Sequence, residues 1–322
     1  MSASMSIALS NFTSVTVLVF ALGFIASRLK TDFELPPQVY HFVSTYLLFG
    51  IGLKGGVELH HANPATAIGP IGAALVLGIC IPFLAFIGLR VVTKIGELDR
   101  GAIAAHYGST SLVTFTAALT FLDTNKIAYE GFAATLLTIM EIPGIIVGIY
   151  LGSRHLQRHV SWAKSLHEII FGKTIMLLVG GLVIGLITGT QGYAKVSPFF
   201  VDLLPGFLAL FLMHLGYTAG SHLAQIREAG WKYGVFAMAF PTIVGSLGIV
   251  IGHATGLSTG GATVLGVLCA SASYIAAPAA VSIALPDASK SLPILASLGV
   301  TFPFNLILGI PYFYWLATQL SS

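Results

Sequence analysis

The sequence predicts an all-α polytopic membrane protein, and three observations carry this prediction. Of the 322 residues, 56% are hydrophobic and only 8% are charged, with a mean hydropathy of +0.90. This is too little charge to cover the surface of a soluble domain. Apolar runs of about 20 residues, long enough to cross a bilayer core as helices, recur along the chain. One of them, Gly101–Leu122, lacks Asp, Glu, Lys and Arg, yet Gly108-Ser109-Thr110-Ser111 interrupts its middle.

Ten transmembrane helices are predicted from the lengths of the apolar runs and the breakers between them. The first run lacks a basic n-region and a cleavage site, so we interpret it as a span and not as a signal peptide. The predicted spans are about Phe12–Ser27, Val39–Gly56, Ala67–Val92, Gly101–Leu122, Phe132–Leu151, Thr174–Thr190, Phe199–Ser221, Tyr233–Ala254, Gly261–Ile283 and Pro293–Leu316.

One charged segment divides the predicted spans into two groups of five. The basic, polar segment Ser153–Lys173 is the longest charged stretch and divides residues 1–152 from residues 174–322. In the first part, span four is the interrupted run and span five contains Met140-Glu141-Ile142-Pro143. In the second part, Ala270-Ser271-Ala272-Ser273 interrupts span nine, and span ten contains Phe302-Pro303. We therefore expect two five-span units joined by a linker.

The loop charges predict the orientation, because Lys and Arg accumulate in cytoplasmic loops. The loops after even-numbered spans carry only Lys54, Lys126 and Lys195, against twelve Lys and Arg residues in the loops after odd-numbered spans. We therefore expect a multi-pass protein of the cell inner (plasma) membrane, with both termini outside and Ser153–Lys173 in the cytoplasm. The basic residues form no single patch, which argues against a nucleic-acid partner. The loops after odd-numbered spans carry Arg28, Lys30, Arg90, Lys94, Arg100, Arg154, Arg158, Lys164, Lys173, Arg227, Lys232 and Lys290.

The two units also share weak sequence matches in the same order. Because five spans are an odd number, the second unit must enter the membrane from the opposite side. The chain is therefore predicted to form two inverted five-helix repeats with crossed discontinuous helices (spans four and nine), an arrangement typical of secondary transporters. The matches, at offsets of 164, 162 and 160, are Gly52–Gly56 with Gly216–Gly220, Gly108–Ser111 with Ala270–Ser273, and Ile142-Pro143 with Phe302-Pro303.

The two interrupted spans predict a binding site at the middle of the membrane. A half-helix that begins there presents unpaired N–H groups and about half a positive charge to the gap. Hydroxyls from Ser109, Thr110 and Ser111 are expected opposite those of Ser271 and Ser273. A small anion suits the N–H groups, and the carbonyls freed by the same breaks suit a hard cation such as sodium.

Other polar residues within the spans have a functional and a structural interpretation. Glu141 is the only acid deep in a span, and we expect it to bind a cation or relay charge, with a structural hydrogen-bonded role as the alternative. Asn305 and Thr301 supply either oxygen ligands or interhelical hydrogen bonds. His106 is expected to be a hydrogen-bonded interior histidine. Small hydroxylated residues in a membrane helix often serve close helix packing. Here a binding site is favoured, because similar breaks occur at matching positions in both halves of the chain.

Three further features bear on metals and ion pairs. Lys54 and Glu58 are four residues apart near a span end and predict a helical ion pair or a snorkelling lysine. Cys80 and Cys269 lie inside apolar runs, so neither a disulfide framework nor a thiolate metal site is expected. The histidines in or near loops do not have the spacing of a metal site. No cofactor is expected apart from sodium as the coupling ion.

Four segments carry a resemblance to a known family. In this order they resemble the SbtA-type sodium-dependent bicarbonate transporters over nearly the whole chain. The resemblance implies a gate part from spans one, two, six and seven, a core part from the other spans, and a homotrimer. It also implies an anion site between the two broken helices, with sodium beside it. The segments are GSTS after AAHY, YEGFAATLLTIMEIPGIIVGI, ASASYIAAPAAVSIALPDAS and TFPFNLILGIP.

Carried over to this sequence, the resemblance implies individual site residues. The implied anion-binding residues are Gly108, Ser109, Thr110, Ser111, Ala270, Ser271, Ala272 and Ser273. The implied sodium ligands are Ser109, Glu141, Ser271, Thr301 and Asn305. The cyanobacterial members have Asp in place of Glu141 and Met in place of Ser111, which leaves the identity of the anion more open than the fold. They also have a longer divider, so a PII-like regulatory protein on the cytoplasmic face is only a candidate partner.

The predicted function is sodium-coupled uptake of bicarbonate by alternating access. Moving one negative charge into a cell that is negative inside costs about 2.3 kcal/mol per 100 mV, and a co-transported cation cancels that cost. Transport of another small monovalent anion or organic acid stays open, as does sodium/proton exchange by Glu141 and His106. An intramembrane enzyme with Ser109 or Ser271 as nucleophile is disfavoured, because Leu268 stands in the second half where His106 stands in the first.

Overall fold

The computed structural model describes residues 7, 10–31, 33–154, 162–221 and 230–321. Within these ranges the chain forms helices, turns and loops, with no strand. The helices are α1 (Val15–Arg28), α2 (Pro37–His61), α3 (Pro64–Val92), α4 (Glu97–Gly108), α5 (Leu112–Thr124), α6 (Ala133–Ser153), α7 (Trp162–Phe171), α8 (Lys173–Ala194), α9 (Leu204–Ser221), α10 (Trp231–Ala254), α11 (Thr259–Ala270), α12 (Ala277–Ala284) and α13 (Ser291–Leu320).

Seven helical segments of the described chain are long and apolar enough to cross a membrane, which fits a multi-pass membrane protein. They are α2, α3, α6, α8, α10, α13, and α9 together with the π-helical turn before it. Of the other predicted spans, the first is an apolar helix of 14 residues. The fourth and ninth are each divided, into helices of 12 and 13 residues and of 12 and 8 residues. No half alone reaches the about 20 residues that a bilayer core requires.

Glycines allow two pairs of helices to pack at close range. α2 packs along α8, where a Cβ added to Gly52 would overlap the Leu178 carbonyl. α1 packs along α9, where a Cβ added to Gly23 would overlap the Met213 carbonyl. Small residues let membrane helices associate through backbone contact, where lipid provides no hydrophobic driving force. We name α1, α2, α8 and α9 the gate helices, and α3 to α6 with α10 to α13 the core helices.

α13 is continuous but irregular at its middle. It contains two π-helical segments, Leu295–Thr301 and Asn305–Gly309, on either side of Phe302-Pro303-Phe304. Proline lacks an N–H group, and π turns lack the regular α-helical hydrogen bonds, so carbonyl groups become available to other donors. Asn11 uses one of them, because its Nδ2 donates to the Leu306 carbonyl at 3.0 Å.

The divider Ser153–Lys173 contains a helix that its charge pattern did not indicate. α7 buries Ser165 and Ile169 and leaves Phe171 exposed, as an amphipathic helix does. It packs against α12 and α8. Within the divider, residues 155–161 lie outside the described residues. The described part is therefore not only a polar linker but an element that contacts the second broken span.

Candidate functional site

The first break separates α4 from α5. α4 ends at Gly108, where a Cβ would lie 2.8 Å from the Gly144 Cα of α6, so only glycine permits this approach. Ser109 and Ser111 then have extended backbone conformations. α5 begins directly afterwards, with Ser111 as its N-cap: the Ser111 Oγ accepts a hydrogen bond from the Thr114 N–H at 3.3 Å. The break is thus a short extended segment between two helix ends.

The second break has the same design. α11 ends at Ala270, and Ser271 is extended. The chain then passes through Ala272 and Ser273 to α12, which begins with Ala277. The Ser273 Oγ accepts hydrogen bonds from the N–H groups of Ala276 and Ala277 at 3.2 and 3.3 Å. A serine therefore satisfies donors at the N-terminus of the second half-helix in both spans.

Hydrogen bonds join the two breaks directly. The Ser273 N–H donates to the carbonyls of His106 and Ser109, at 2.7 and 3.0 Å. In the other direction, the Ser111 N–H donates to the Ser271 Oγ at 2.9 Å. That hydroxyl in turn donates to the Leu268 carbonyl at 2.8 Å. The structure therefore brings the two predicted tetrapeptides into contact, while their role in binding an anion stays a prediction.

Glu141 lies beside the first break and is 2% exposed. Its Oε1 accepts a hydrogen bond from the Ser109 Oγ at 3.3 Å. Thr110 donates to the Leu137 carbonyl one turn earlier in α6, also at 3.3 Å. The other carboxylate oxygen, Oε2, accepts no hydrogen bond within 3.5 Å in the described part of the chain, although the Thr110 side chain is close to the carboxylate. A buried acceptor of this kind needs a cation or a donor to offset the loss of water.

Asn305 of α13 lies at the second break, whereas Thr301, one turn earlier in α13, contacts Tyr107 beside the first break. The two residues also differ in how their oxygens are used. The Thr301 hydroxyl donates to the Ala237 carbonyl at 2.7 Å and lies 2.7 Å from the Tyr107 hydroxyl, so it already joins three core helices. Asn305 donates through Nδ2 to the Ala270 carbonyl at 2.8 Å. Its Oδ1 has no partner among the residues described. Asn305 thus offers a free oxygen, whereas the Thr301 hydroxyl is engaged.

Two adjoining cavities reach the breaks. The inner cavity, of about 10 Å³, includes Thr110, Ser111, Glu141, Ser273 and Tyr274 in its wall. This volume holds about one water molecule. An outer vestibule of about 220 Å³ shares part of that wall and extends to the first turns of α2 and α8. The residues common to both cavities are Leu48, Thr174, Tyr274 and Ile275. The crossing is therefore approached from the side on which the divider lies.

A model of one protein family covers nearly the whole chain. The model of the Na⁺-dependent bicarbonate transporter superfamily matches residues 15–318, which include both breaks, Glu141 and α13. The chain belongs to this superfamily. No curated protein matches it. Because the superfamily consists of transporters, the chain is not an enzyme, and membership implies bicarbonate and sodium as its substrates.

The opposite side of the transporter is held by polar contacts between α2 and the segment before α6. Lys54 pairs with Glu58 at 3.7 Å, which confirms the predicted helical ion pair. The Lys54 Nζ also donates to the Tyr129 hydroxyl at 3.5 Å, and that hydroxyl donates to the Asp123 Oδ2 at 3.4 Å. A pocket of about 50 Å³ on this side contains no residue of either break. These contacts connect a gate helix to the core on the side opposite the vestibule.

His106 is a buried residue of α4, 2% exposed. Its Nδ1 lies 2.8 Å from the Ala102 carbonyl in the same helix. No group of three or more His, Cys, Asp or Glu residues that suits a metal occurs in the described ranges. The transporter therefore holds this histidine as an interior residue of α4, with its main-chain carbonyl used by Ser273.

Sequence reasoning missed four residues of this region. Tyr274 has a visible signal, because it directly follows Ser273 in the second break. Tyr107 likewise directly precedes Gly108. Leu48 and Thr174 have no signal in the sequence, because each is an ordinary residue of an apolar run. Only the packing of α2 and α8 against the core places them in the cavity walls.

Proposed function

We propose that this transporter carries sodium and bicarbonate together into the cell by alternating access. One observation carries the proposal: two extended breaks are hydrogen-bonded to each other deep in the protein, beside a carboxylate oxygen without a partner. Broken helices at such a crossing offer N–H groups to an anion and oxygens to a cation. The two substrates of the superfamily, bicarbonate and sodium, are an anion and a cation of equal and opposite charge.

We further propose ten membrane segments in two inverted repeats. With α4–α5 and α11–α12 each counted as one discontinuous segment, the chain has five segments on each side of the divider. The hydrogen bonds at the crossing support this interpretation, because Ser111 matches Ser273 and His106 matches Leu268 at the offset of 162. The Ser273 N–H binds the His106 carbonyl, and the Ser111 N–H reaches the Leu268 carbonyl through the Ser271 hydroxyl.

The proposed division of roles follows the chemistry of the free atoms. The anion would occupy the inner cavity, among the main chain and hydroxyls of Gly108–Ser111 and Ala270–Ser273. Sodium would bind Glu141 with the hydroxyl of Ser109, and Asn305 and Ser271 supply the oxygens nearest to the second break. Thr301 contributes less, because its hydroxyl already binds Ala237.

Electrostatics explains why the two ions would travel together. An anion placed beside the Glu141 carboxylate in a site shielded from water is strongly repelled. Sodium between the two negative groups converts that repulsion into attraction on both sides. The anion would therefore bind well only when sodium is present, which is the condition for tight coupling. The same cation cancels the charge that bicarbonate carries against the membrane potential.

Alternating access would move the core helices against the gate helices. Each gate pair packs through backbone contacts at glycines, and the gate residues Leu48 and Thr174 line the inner cavity beside the core. The structure has its vestibule on the divider side, which the loop charges place in the cytoplasm. A homotrimer, and a PII-like regulatory protein on the divider, remain proposals from the family resemblance.

Sodium removal tests the function. In proteoliposomes with an inward sodium gradient, we expect labelled bicarbonate to accumulate. With choline replacing sodium, we expect uptake to fall to the level of protein-free liposomes, because the anion site is then repulsive. Equal uptake in both conditions would contradict coupling. Competition by nitrate, formate and acetate identifies the preferred anion, and a pH dye inside bicarbonate-free liposomes detects any sodium/proton exchange.

Thiol labelling tests the orientation and the open side. In a Cys80→Ser, Cys269→Ala background, we expect Ala279→Cys, an exposed vestibule position in α12, to react with an impermeant thiol reagent from the cytoplasmic side only. Thr124→Cys, exposed at the end of α5, is the matched position expected to react only from outside. Reversed labelling of the pair would overturn the orientation.

A further inference from the structure

We propose that Tyr274 is the residue that selects and positions bicarbonate: its hydroxyl donates a hydrogen bond to the bound anion, and its ring closes the anion's cavity toward the vestibule. The inference rests on the proposed function and adds a residue to the site that no motif assigned. Three independent features of Tyr274 support it, namely its unpaired hydroxyl, its position between the two cavities, and its fixed orientation.

The first feature is an unused hydrogen-bond donor. Tyr274 is only 7% exposed, and its hydroxyl makes no hydrogen bond within 3.5 Å to the described residues, although the Ser111 side chain of the first break lies near it. Buried tyrosine hydroxyls usually find a partner, because an unpaired one has lost its hydrogen bonds to water without replacement. Glu141 Oε2 is the other unpaired atom in the wall of the inner cavity. One unpaired donor and one unpaired carboxylate oxygen in one cavity match an anion and a cation, respectively.

The second feature is location. Tyr274 contributes to the walls of both the inner cavity and the vestibule, together with Leu48 and Thr174 from the gate helices. Bicarbonate has four heavy atoms and needs more room than the about 10 Å³ now present, which fits one water. Tyr274 is one of four residues that line both cavities, so an anion moving from the crossing to the vestibule would pass beside its side chain. Tyr274 is placed both to hold the anion and to release it.

The third feature is that the side chain is held in place. The ring packs edge-on against Phe302, with centroids 5.6 Å apart. The preceding residue, Ser273, is fixed by its N–H bonds to the His106 and Ser109 carbonyls. A donor held by such packing loses little entropy when it binds a ligand, which favours selectivity. A shift of α13, which carries Phe302, would move this donor together with Asn305.

A neutral hydroxyl also suits the site better than a cationic side chain. An Arg or Lys would bind the anion without sodium and would repel sodium from Glu141, which removes the basis for coupling. A phenol can donate to one bicarbonate oxygen and accept from the bicarbonate O–H. Nitrate has the same planar shape but no O–H group, so the hydroxyl is expected to discriminate between the two anions.

Tyr274→Phe removes the donor and keeps the ring. In sodium-driven uptake, we expect its KM for bicarbonate to rise by about tenfold or more, because a hydrogen bond to a charged group is lost. The sodium concentration for half-maximal uptake should change less than twofold at saturating bicarbonate. The advantage of bicarbonate over nitrate in competition should shrink. The matched control is Tyr312→Phe in α13, whose hydroxyl lies 3.2 Å from Ser246, outside both cavities; its kinetics should equal those of the parent.

If Tyr274→Phe transports too slowly for kinetics, ligand binding can be measured instead from the melting temperature. In detergent, we expect sodium to raise the melting temperature of both the parent and Tyr274→Phe. We expect bicarbonate at low millimolar concentration to add a further rise in the parent but not in Tyr274→Phe. An unchanged bicarbonate response and KM in Tyr274→Phe would overturn the inference while leaving the proposed function standing. A parent that shows neither a bicarbonate response nor uptake would instead overturn the proposed function, and this inference with it.

Discussion

Glu141→Gln is expected to leave a folded protein that has lost most of its response to sodium. The amide retains an oxygen that accepts from Ser109, so the hydrogen bond at the first break is conserved. The negative charge beside the free Oε2 position is removed, and losing one member of a buried charge pair costs on the order of 2–5 kcal/mol. We therefore expect the sodium concentration for half-maximal bicarbonate uptake to rise by roughly 30-fold or more.

Two further variants test whether the effect depends on the negative charge and on its position at residue 141. Glu141→Asp keeps the carboxylate found in the cyanobacterial relatives and should retain sodium activation. Glu97→Gln removes an acid at the start of α4 that pairs with Arg100 at 3.3 Å, away from both cavities, and should behave as the parent. Since Oε2 has no partner in the described structure, Glu141→Gln should not lower the melting temperature without sodium. Unchanged sodium activation in the folded Gln variant would remove Glu141 from the cation site.

Gly144→Val is expected to have the largest effect on stability. Gly144 lies three residues after Glu141 in α6, and a Cβ built there would overlap the carbonyl of Gly108 at the end of α4. The overlap is with main chain, which no rotamer change relieves. Overpacking of this kind costs about 1–3 kcal/mol and sometimes more, so we expect a lower melting temperature in detergent, a low yield and no transport.

Gly180→Ala provides the matched control in another membrane helix. A Cβ at Gly180 in α8 meets no atom within 4 Å, so the substitution adds only helix propensity, about 0.5–1 kcal/mol in favour of folding. Gly144→Ala should fall between the control and the valine variant. If Gly144→Val and Gly180→Ala had equal melting temperatures and transport rates, the close approach of α4 and α6 would not be required for the site.

The variants at Glu141 and those at Gly144 also separate the chemistry of sodium binding from the geometry of the crossing. Glu141 is expected to affect how sodium is bound with the crossing intact. Gly144 is expected to affect whether the crossing forms, and therefore both ions at once. A Gly144 variant that kept bicarbonate binding but lost only the sodium response would contradict this distinction, because the two breaks are held together by direct hydrogen bonds.

The sequence by itself determined the class of the protein and the places where its helices break. Hydropathy and charge are properties of each segment, so they predict a membrane protein without reference to any partner. The same holds for the breaks, since serine caps and glycines act within a few residues: Ser111 and Ser273 each accept from the next helix end. The motifs also led to the family, which the comparison confirmed. The count of ten segments and their inverted order remain predictions.

Only the tertiary structure decided which atoms at the crossing are used and which are free. Thr301 looked equivalent to Asn305 in sequence, but its hydroxyl is taken by Ala237 and Tyr107, whereas the Asn305 Oδ1 is unpaired. The contacts of Tyr274 with two cavities likewise depend on helices far away in the chain. Hydropathy and capping act locally, whereas the partners of Thr301 and Asn305 lie 35 to 194 residues away in the chain, so packing between separate segments decides them.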